Sequence, residues 1–399
     1  MRKSLGQTLF SVLLFLCFYL GILKFVNSEV LDETLKRDKT FEKDNSQRKD
    51  TQNLEKIGKE TSQLSQSVLK EELDSFSNDI EINWKGRVLV IGDIHGDLKS
   101  LITSLFLSGV INNNLDWIAK NTLLIQLGDV VDRGSHALQI YKLFNKLRSQ
   151  APSLGGKFVG LLGNHEIMNL CGQLHYVTDE DIKTYGGRTN RIFEWSKEGF
   201  VGKYLRTMKL AIRVNDSLYV HAGLLPKYAK LGLDRLNKLS DDLLEGDFCD
   251  FYSSLFFVED GPLWTRDISL GEERKACKLV DETLQILGLN RMVVGHTIQH
   301  DNRINIKCNN RLVLADTGFS EAIYGKPCIL EILYNRDQHN ASYEKENDFD
   351  FKSFHPYSMN ELQIKSNYSK PNVKYIQVTS LLLNDRSSIS NETSIMDEL

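Results

Sequence analysis

The sequence lacks the features that mark several common protein classes. Its 399 residues include only 6 cysteines, and no two of them form a C-x-x-C pair, which speaks against a zinc ribbon and a thioredoxin-type redox site. No collagen-like period, heptad period or repeat of solenoid length occurs. The net charge of −4 supplies no positive field, so we predict no nucleic-acid partner. The chain is nevertheless 41% hydrophobic, which is enough for a sizeable core.

Long apolar runs are also lacking, with one exception near the N-terminus. Residues 9–23 are largely apolar and follow Arg2 and Lys3, but the run is shorter than the about 20 residues that a membrane-spanning helix needs. This arrangement is typical of a signal peptide. We predict a signal peptide over residues 1–28 and expect membrane contact only if it stays uncleaved. Cleavage would remove Cys17 and leave an odd number of cysteines, so at least one would lack a partner within the chain.

The other end of the chain carries a second targeting pattern. It finishes in M-D-E-L (residues 396–399), which resembles the Lys/His-Asp-Glu-Leu retention signal in its last three residues. A chance acidic tail is the alternative interpretation. Together with the signal peptide, the pattern predicts a soluble protein of the endoplasmic reticulum (ER) lumen. The ER-retention receptor would bind it through a polar tail over residues 385–399.

Between these ends, the composition changes near Trp84. Residues 29–80 are rich in Lys, Glu, Asp, Ser and Gln and poor in aromatic residues, which is typical of a polar linker. Beyond them, short apolar runs alternate with helical patterns, as in an α/β fold whose strands are buried on both faces. We predict a catalytic domain over residues 81–384, with helices at 97–109, 135–149, 190–206 and 271–287.

Five of the apolar runs end in polar segments that contain glycine. These are G-D-I-H-G-D (92–97), G-D-V-V-D-R-G (128–134), G-N-H-E (163–166), H-A-G (221–223) and G-H-T (295–297). Unpaired charge is costly inside a core, so something must neutralise or use these carboxylates and imidazoles. Because active sites of such folds collect beyond the carboxyl ends of the strands, we expect the segments to form one site.

Their side chains suit two divalent metal ions. A mixture of carboxylate, imidazole and amide oxygen favours Mn, Fe or Zn over Ca, which prefers oxygen cages. We expect Mn, with Fe or Zn as alternatives. The first ion would take Asp93, His95 and Asp129, and the second would take Asp129, Asn164, His221 and His296, with Asp129 bridging. Asp97 fits a helix cap or a supporting contact better than a ligand.

The same segments offer groups for phosphoryl chemistry. A pair of metal ions can hold a bridging water or hydroxide and direct it at phosphorus. The planar forks of Arg133 and Arg266 can each hold two phosphate oxygens, and Asn164 is a third predicted substrate contact. His165 suits a general acid for the leaving group, and Asp132 can hold its other nitrogen. The predicted catalytic residues are therefore His165, Asp132, Arg133 and Arg266.

These motifs, in this order, resemble the metallophosphoesterases, and G-D-x-H-G, G-D-x-V-D-R-G and G-N-H-E resemble the hallmarks of the phosphoprotein phosphatases. Further segments are similar to the Shewanella-like protein phosphatases, particularly the signal-peptide-bearing, ER-located members of apicomplexan parasites. They are M-N-L (168–170), G-Q-L-H-Y-V (172–177), D-G-P-L-W-T-R (260–266), V-V-G-H-T (293–297) and A-D-T-G (315–318). The resemblance covers about residues 84–335. It implies a calcineurin-like α/β fold, with a central β-sandwich flanked by helices and a dinuclear metal site at the carboxyl ends of the strands.

At two places this sequence differs from related enzymes, which narrows the range of enzymes that it resembles. Thr297 and Ile298 follow His296, whereas many relatives, including nucleases, end in G-H-x-H and have a second histidine at the position of Ile298. Its absence speaks against nucleases and cyclic-nucleotide enzymes. No segment like the S-A-P-N-Y-C of the toxin-sensitive eukaryotic phosphatases occurs. We therefore expect only weak inhibition by okadaic acid.

The sequence thus predicts a metal-dependent phosphoprotein phosphatase that hydrolyses phosphomonoesters by direct attack of a metal-bridging water or hydroxide. Its substrates would be phosphoproteins, and the motifs do not distinguish serine or threonine phosphates from tyrosine phosphates. The main alternative is a phosphoanhydride hydrolase that acts on polyphosphate or dinucleoside tetraphosphates at the same site. An inactive ER scaffold is a weaker alternative, since no predicted ligand and no general acid is missing.

Overall fold

The computed structural model describes residues 80–246, 249, 254–334, 349–352 and 374–377. The predicted signal peptide, the polar tail and the linker up to residue 79 lie outside the described residues and stay predictions. Within the described part of the chain, no helix is long and apolar enough to cross a membrane.

The strands form two mixed β-sheets. In chain order they are β1 (Glu81–Ile82), β2 (Gly86–Ile91), β3 (Thr122–Gln126), β4 (Lys157–Gly160), β5 (Ala211–Val214), β6 (Ser217–Val220), β7 (Arg291–Val294), β8 (Asn305–Lys307), β9 (Leu312–Leu314), β10 (Cys328–Tyr334), β11 (Phe349–Lys352) and β12 (Lys374–Gln377). The first sheet has the order β11–β12–β10–β2–β3–β4, and the second has the order β1–β5–β6–β7–β9–β8.

The centre of each sheet is parallel. Strands β2, β3 and β4 run in one direction, and so do β6, β7 and β9. Antiparallel neighbours flank them, β10 beside β2 and β5 beside β6. Because parallel strands end at the same edge, each sheet presents several strand ends side by side.

Alternate residues of the strands pack into two different buried clusters, one on each face of the sheet. Val88 and Val90 of β2 share a buried cluster with Tyr219 of the second sheet, so the two sheets pack face to face. Leu89 and Ile91 of the same strand join the cluster formed with the helices. Successive strand residues point to opposite faces, and burying one such side chain contributes about 1.5–3 kcal/mol. The apolar run predicted as a buried strand is therefore buried on both faces.

Helices cover the outer face of both sheets. In chain order they are α1 (Leu98–Leu107), α2 (Ala137–Gln150), α3 (Asn164–Leu170), α4 (Asp179–Thr184), α5 (Arg188–Trp195), α6 (Phe200–Leu205), α7 (Pro226–Ala229), α8 (Leu233–Glu245) and α9 (Glu273–Leu287), with a 3₁₀ helix (Ala151–Leu154) after α2. Leu101 of α1 and Phe144 of α2 pack on the first sheet. Leu236 of α8 and Leu284 of α9 pack on the second. This confirms the predicted β-sandwich flanked by helices.

One predicted helix is wrong in its extent. The helix expected at 190–206 is two helices, because α5 ends at Trp195 and α6 begins at Phe200. The backbone is extended at Ser196 (φ −70°, ψ 173°). A side chain at Gly199 would overlap the carbonyl oxygen of Phe193, so the chain turns back on itself where only glycine fits. The other three predicted helices are present, with ends shifted by about two residues.

Two disulfides hold elements that are distant along the chain. Cys171, at the end of α3, pairs with Cys249, and Cys277 of α9 pairs with Cys308. Cys328 of β10 is free and buried. Five cysteines remain once the predicted signal peptide is removed, which implies an unpaired one, but the count does not predict which cysteines pair.

Candidate metal centre and catalytic site

The ends of parallel strands from both sheets meet at one edge of the sandwich. The first sheet contributes the segments after β2, β3 and β4, and the second contributes those after β6 and β7. These segments carry the six predicted ligands, namely Asp93, His95, Asp129, Asn164, His221 and His296, all of them buried. The structure therefore brings together residues that lie more than two hundred positions apart, since the His296 backbone N–H reaches Asp93 across 203 residues.

The backbone of this site has an unusual conformation. His95, Asp129, Asp132, Arg133 and His296 have positive φ angles between 47° and 74°, a region that residues other than glycine seldom adopt. Two backbone N–H groups of the segment after β2 donate to the Asp129 carbonyl oxygen at 2.9 and 3.0 Å. Such conformations persist where the surrounding structure imposes them, and they cluster at functional sites.

Asp129 lies at the centre of the cluster. Its Oδ2 is 3.9 Å from Nε2 of His95 and 3.5 Å from Nε2 of His221. The same oxygen is 3.9 Å from Nε2 of His165. Burial raises the pKa of Asp129 to about 7, because the charged form has lost its water. One carboxylate is thus within reach of imidazoles from both sheets, as a bridging ligand would have to be.

Hydrogen bonds select the nitrogen that each histidine can offer to a metal ion. Nδ1 of His95 and Nδ1 of His221 contact backbone carbonyl oxygens at 2.9 and 2.8 Å. Nε2 of His296 contacts the carbonyl oxygen of Trp264 at 3.2 Å. A carbonyl oxygen accepts only from a protonated nitrogen, so Nε2 of His95, Nε2 of His221 and Nδ1 of His296 remain as ligand atoms.

The donor set fits divalent metal ions. Two groups of side chains, His95 with Asp129 and His165, and Asp129 with His221 and His296, have ligand atoms within 4.8 Å of one another. Burial lowers the pKa of His221 to about 3 and that of His296 to about 2, so both stay neutral at physiological pH and can donate a lone pair.

A close contact between two acceptors supports this fit. Nε2 of His221 lies 2.9 Å from Oδ1 of Asn164, and the other nitrogen of His221 already holds the proton that Leu127 accepts. Two lone pairs at this distance repel each other, whereas a shared cation binds both. The residues of this half of the site therefore fit a metal ion as the sequence predicts.

Asp93 is placed differently from the other predicted ligands. Neither of the two groups includes it, and both of its oxygens lie within 3.1 Å of the backbone nitrogen of His296. Burial raises the pKa of Asp93 well above its ordinary value, and the nearby carboxyls of Asp316 and Asp129 raise it further. Such crowding of carboxyls is relieved by a proton or by a cation.

Asp316 itself was missed by the sequence analysis. It is 2% exposed and follows β9, and burial raises its pKa to about 6. The rule that found the other site residues, a polar side chain directly after a buried apolar strand, applies to it as well. The A-D-T-G segment was used only for its family resemblance.

His165 has a carboxylate partner that favours its protonated form. Its Nδ1 is 2.6 Å from Oδ2 of Asp132, which leaves Nε2 directed at the metal ligands. Burial alone would lower the pKa of His165, but the carboxylates of Asp129 and Asp132 outweigh it and raise the pKa above its ordinary value. The predicted pairing of His165 with Asp132 is thus present, with the geometry that a general acid needs.

The two predicted phosphate-binding arginines lie at the open side of the site. Both Arg133 and Arg266 are exposed. Nη1 of Arg266 donates to Oγ1 of Thr297 at 3.1 Å and lies 3.4 Å from the carbonyl oxygen of His296. Thr297, directly after His296, thereby holds the guanidinium beside the second group of ligands.

Tyr176 was also missed, and it contacts the other arginine. Its ring centroid is 5.0 Å from the guanidinium carbon of Arg133 and 5.1 Å from the ring of His165. The carbonyl oxygen of Tyr176 accepts from the backbone N–H of Arg133 at 2.8 Å. The side chain is nevertheless 41% exposed, so one part of the ring remains open to solvent at the entrance of the site.

Glu166 and Asp97 support the site without facing it. Glu166 is fully buried and accepts from three backbone N–H groups, those of Asp129, Val130 and Gly163, each at 2.8 Å. It thereby fixes the ends of β3 and β4 against each other. Asp97 caps α1 through the N–H of Ser100 at 2.9 Å, which agrees with the predicted helix cap.

Comparison with known proteins gives a consistent family. Residues 86–300 match the family model described as calcineurin-like phosphoesterase. An uncharacterized protein of Schizosaccharomyces pombe is 34% identical over 274 residues, which cover 65% of this chain and 82% of the relative. Shewanella-like protein phosphatase 1 of Plasmodium berghei is 33% identical over 273 residues, which cover 65% of this chain and 75% of the relative. A solved cold-active protein-tyrosine phosphatase of a psychrophilic Shewanella has a TM-score of 0.55 and 26% identity, covering 66% of this chain and 80% of that one.

Proposed function

This chain belongs to the calcineurin-like phosphoesterase family, within its Shewanella-like protein phosphatases, and we propose that it hydrolyses phosphomonoesters of proteins at the site described above. The chain is a metal-dependent phosphatase by family. The single observation that carries the proposed site is Oδ2 of Asp129, which lies 3.9 and 3.5 Å from histidine nitrogens contributed by the two different sheets.

Two divalent metal ions would be held by the buried ligands. Asp93, His95 and Asp129 would hold the first, and Asp129, Asn164, His221 and His296 would hold the second. When bound, such ions lower the pKa of a water molecule and stabilise the charge that develops on phosphoryl oxygens. We propose Mn, because a set of neutral imidazoles mixed with carboxylate and amide oxygens suits it.

The side chains of the protein supply the remaining steps. Arg133 and Arg266, both exposed at the entrance, bind and orient the phosphoryl oxygens, and the amide of Asn164 adds a third contact. His165 gives its Nε2 proton to the leaving oxygen as the bond from phosphorus to that oxygen breaks. Asp132 keeps the ring cationic and aimed, which is the positioning that phosphoryl transfer requires of a protein.

A panel of substrates tests this function. The purified full-length chain, loaded with Mn, should release phosphate from phosphopeptides, and Asp129→Asn should abolish the release because the shared ligand is weakened. No release from any phosphopeptide by a protein that holds its metal ions would contradict the proposal.

The same panel separates the alternative substrates. Polyphosphate and dinucleoside tetraphosphates present phosphoanhydride bonds that the same groups could reach. The relatives named as protein phosphatases favour phosphoproteins. Release from polyphosphate alone would keep the site and replace the substrate class.

Tyr176 supports a preference for phosphotyrosine. The general acid must touch the leaving oxygen, so the organic part of the substrate lies beside His165. The partly exposed ring of Tyr176, 5.1 Å from His165, is placed to contact a phenyl ring there, since aromatic pairs favour centroid separations of about 4.5–7 Å. The solved relative of Shewanella is a protein-tyrosine phosphatase.

Matched peptides test this preference. The ratio of kcat/KM for phosphotyrosine to that for phosphoserine should fall about threefold to tenfold in Tyr176→Ala. Phe193→Ala is the control, because Phe193 is an exposed aromatic residue of α5. An unchanged ratio in Tyr176→Ala would show that the ring does not contact the leaving group.

We also propose the ER lumen as the location. The disulfides Cys171–Cys249 and Cys277–Cys308 are typical of oxidising compartments. The signal peptide and the M-D-E-L sequence would direct the protein there and present it to the ER-retention receptor. Deletion of residues 396–399 should then cause secretion, whereas unchanged retention would rule out this receptor.

A further inference from the structure

Behind His165 and Asp132 lies a buried polar network that the proposed reaction does not use. Asn169, in α3, donates from Nδ2 to Oδ1 of Asp132 at 2.9 Å and to the carbonyl oxygen of His165 at 3.0 Å. Its own Oδ1 accepts from Nη2 of Arg191 at 2.7 Å. Asn169 and Arg191 are each 3% exposed. A buried network whose members are all bonded holds one arrangement.

Arg191 determines which way the amide of Asn169 faces. A guanidinium group has donors and no acceptor, so the atom of Asn169 that contacts it must be the oxygen. The NH₂ group then has to face Asp132, whose carboxylate only accepts. Without Arg191 the amide could turn, and its oxygen would meet the carboxylate of Asp132, where two acceptors repel each other.

A carboxylate and two aromatic rings hold Arg191 in place. Its Nε donates to Oδ2 of Asp181, in α4, at 3.0 Å. The other oxygen of Asp181 accepts from the backbone N–H of Ala137, at the start of α2, at 3.3 Å. The guanidinium carbon lies 4.9 Å from the ring centroid of Trp195 and 5.3 Å from that of Tyr185. These contacts fix the position of the guanidinium group, whose Nη2 then lies at Asn169.

We propose that Asn169 and Arg191 are positioning residues that hold Asp132 and thereby aim Nε2 of His165 at the leaving-group oxygen. This inference rests on the proposed role of His165 as the general acid. Asp132 uses one oxygen for His165, at 2.6 Å, and the other for Asn169, at 2.9 Å. Its carboxylate cannot rotate without losing one of these bonds, and a misplacement of about 1 Å at a reacting group can cost about a hundredfold in rate.

Two aryl phosphates of similar shape provide the readout. Phenyl phosphate releases a basic phenolate that needs a proton from the enzyme, whereas 4-nitrophenyl phosphate releases a stabilised anion that needs it far less. A misplaced His165 should therefore slow phenyl phosphate more than 4-nitrophenyl phosphate. The ratio of the two kcat values, measured on one sample, does not depend on how much of the protein is folded.

Four variants are compared with the wild type. His165→Asn should raise the ratio of kcat for 4-nitrophenyl phosphate to kcat for phenyl phosphate the most, by up to about a hundredfold. Asn169→Ala and Arg191→Lys should raise it about tenfold, because lysine cannot bridge Asp181 and Asn169 as the planar fork does. Asn237→Ala is the matched control, since Asn237 is a fully buried asparagine whose side chain bonds to backbone groups, those of Leu210, Ala211 and Leu233. This control should destabilise the protein and leave the ratio unchanged.

The outcomes separate the inference from the function it rests on. No hydrolysis of either phosphate by the Mn-loaded wild type would overturn both. An unchanged ratio in His165→Asn would remove the general acid, and the inference with it. The third outcome is a ratio that rises in His165→Asn but stays unchanged in Asn169→Ala and Arg191→Lys. It would overturn the positioning role of Asn169 and Arg191 and leave the general acid in place. If Asn169→Ala does not fold, Arg191→Lys decides by itself.

Discussion

His165, in the half of the site formed by the first sheet, and His221 and His296, in the other half, have pKa values shifted in opposite directions. In the half formed by the first sheet, His165 faces the carboxylate of Asp132 at 2.6 Å. Burial opposes the charged form, yet the carboxylates of Asp129 and Asp132 raise the pKa of His165 above its ordinary value. In the half formed by the second sheet, burial lowers the pKa of His221 to about 3 and that of His296 to about 2.

The difference shows that the hydrogen-bond partner of a buried histidine decides whether the neutral or the protonated ring is favoured. His221 and His296 face backbone carbonyl oxygens, which accept one proton and offer no compensating charge. They stay neutral and keep a lone pair for a metal ion. His165 faces a carboxylate, which favours a second proton on its ring. Titratable groups pushed in opposite directions at one site are the mark of separate catalytic roles.

The largest expected effect comes from removing a neutral histidine. His221→Ala should lower kcat by about a thousandfold or more, because loss of a metal ion removes several kcal/mol of transition-state stabilisation. Metal analysis of the same sample should show fewer divalent ions per chain than in the wild type. Full metal content in an inactive variant would show that His221 is not a ligand.

Removing the charged histidine should have a different signature. His165→Asn should lower kcat by about 10²–10³-fold, because a general acid is lost, while the metal content stays at the wild-type value. His300→Asn, at an exposed histidine, serves as the control. Loss of metal from His165→Asn would contradict the separate roles of His165 and His221.

Asp132→Asn should lower the pKa of His165, in the direction already seen for His221 and His296. His165 acts in its protonated form, so activity persists up to its raised pKa and falls as the pH rises through it. Removing the Asp132 carboxylate leaves only Asp129 and Glu166 to oppose burial, which lowers that pKa, so the alkaline limb of the kcat profile should move to lower pH. A limb that stays in place would show that Asp132 does not set the protonation of His165.

The smallest expected effect concerns Arg266, which Thr297 holds beside the second half. Arg266→Lys should weaken competitive inhibition by inorganic phosphate about threefold to tenfold, because lysine lacks the fork that binds two oxygens. Arg311→Lys is the control, since Arg311 pairs with Asp281 at 2.8 Å. Equal inhibition of the wild type and Arg266→Lys would place phosphate elsewhere.

Much of this architecture could be predicted because one rule governs it. A buried apolar strand that ends in carboxylates or imidazoles needs a use for them, and this located Asp93, Asp129 and His221 from the sequence. The same rule would have located Asp316 after β9. The family resemblance then supplied the fold, which the sandwich confirms.

Other features depend on contacts that the sequence does not display. Glu166, in α3, binds backbone N–H groups of the segment that follows β3. Arg191 reaches Asn169 across 22 residues only because α5 folds back on α3. The break near Gly199 arises from a close approach of backbone that no helical period reveals, and disulfide partners cannot be deduced from cysteine counts.

Metal content and phosphate release, measured together on the full-length protein, test the central claim most directly. The wild type should hold two divalent ions per chain and hydrolyse a phosphopeptide. Asp129→Asn should lose at least one ion and should no longer hydrolyse the peptide. An Asp129→Asn protein that keeps two ions and the wild-type rate would contradict the claim that this carboxylate joins the two halves of the site.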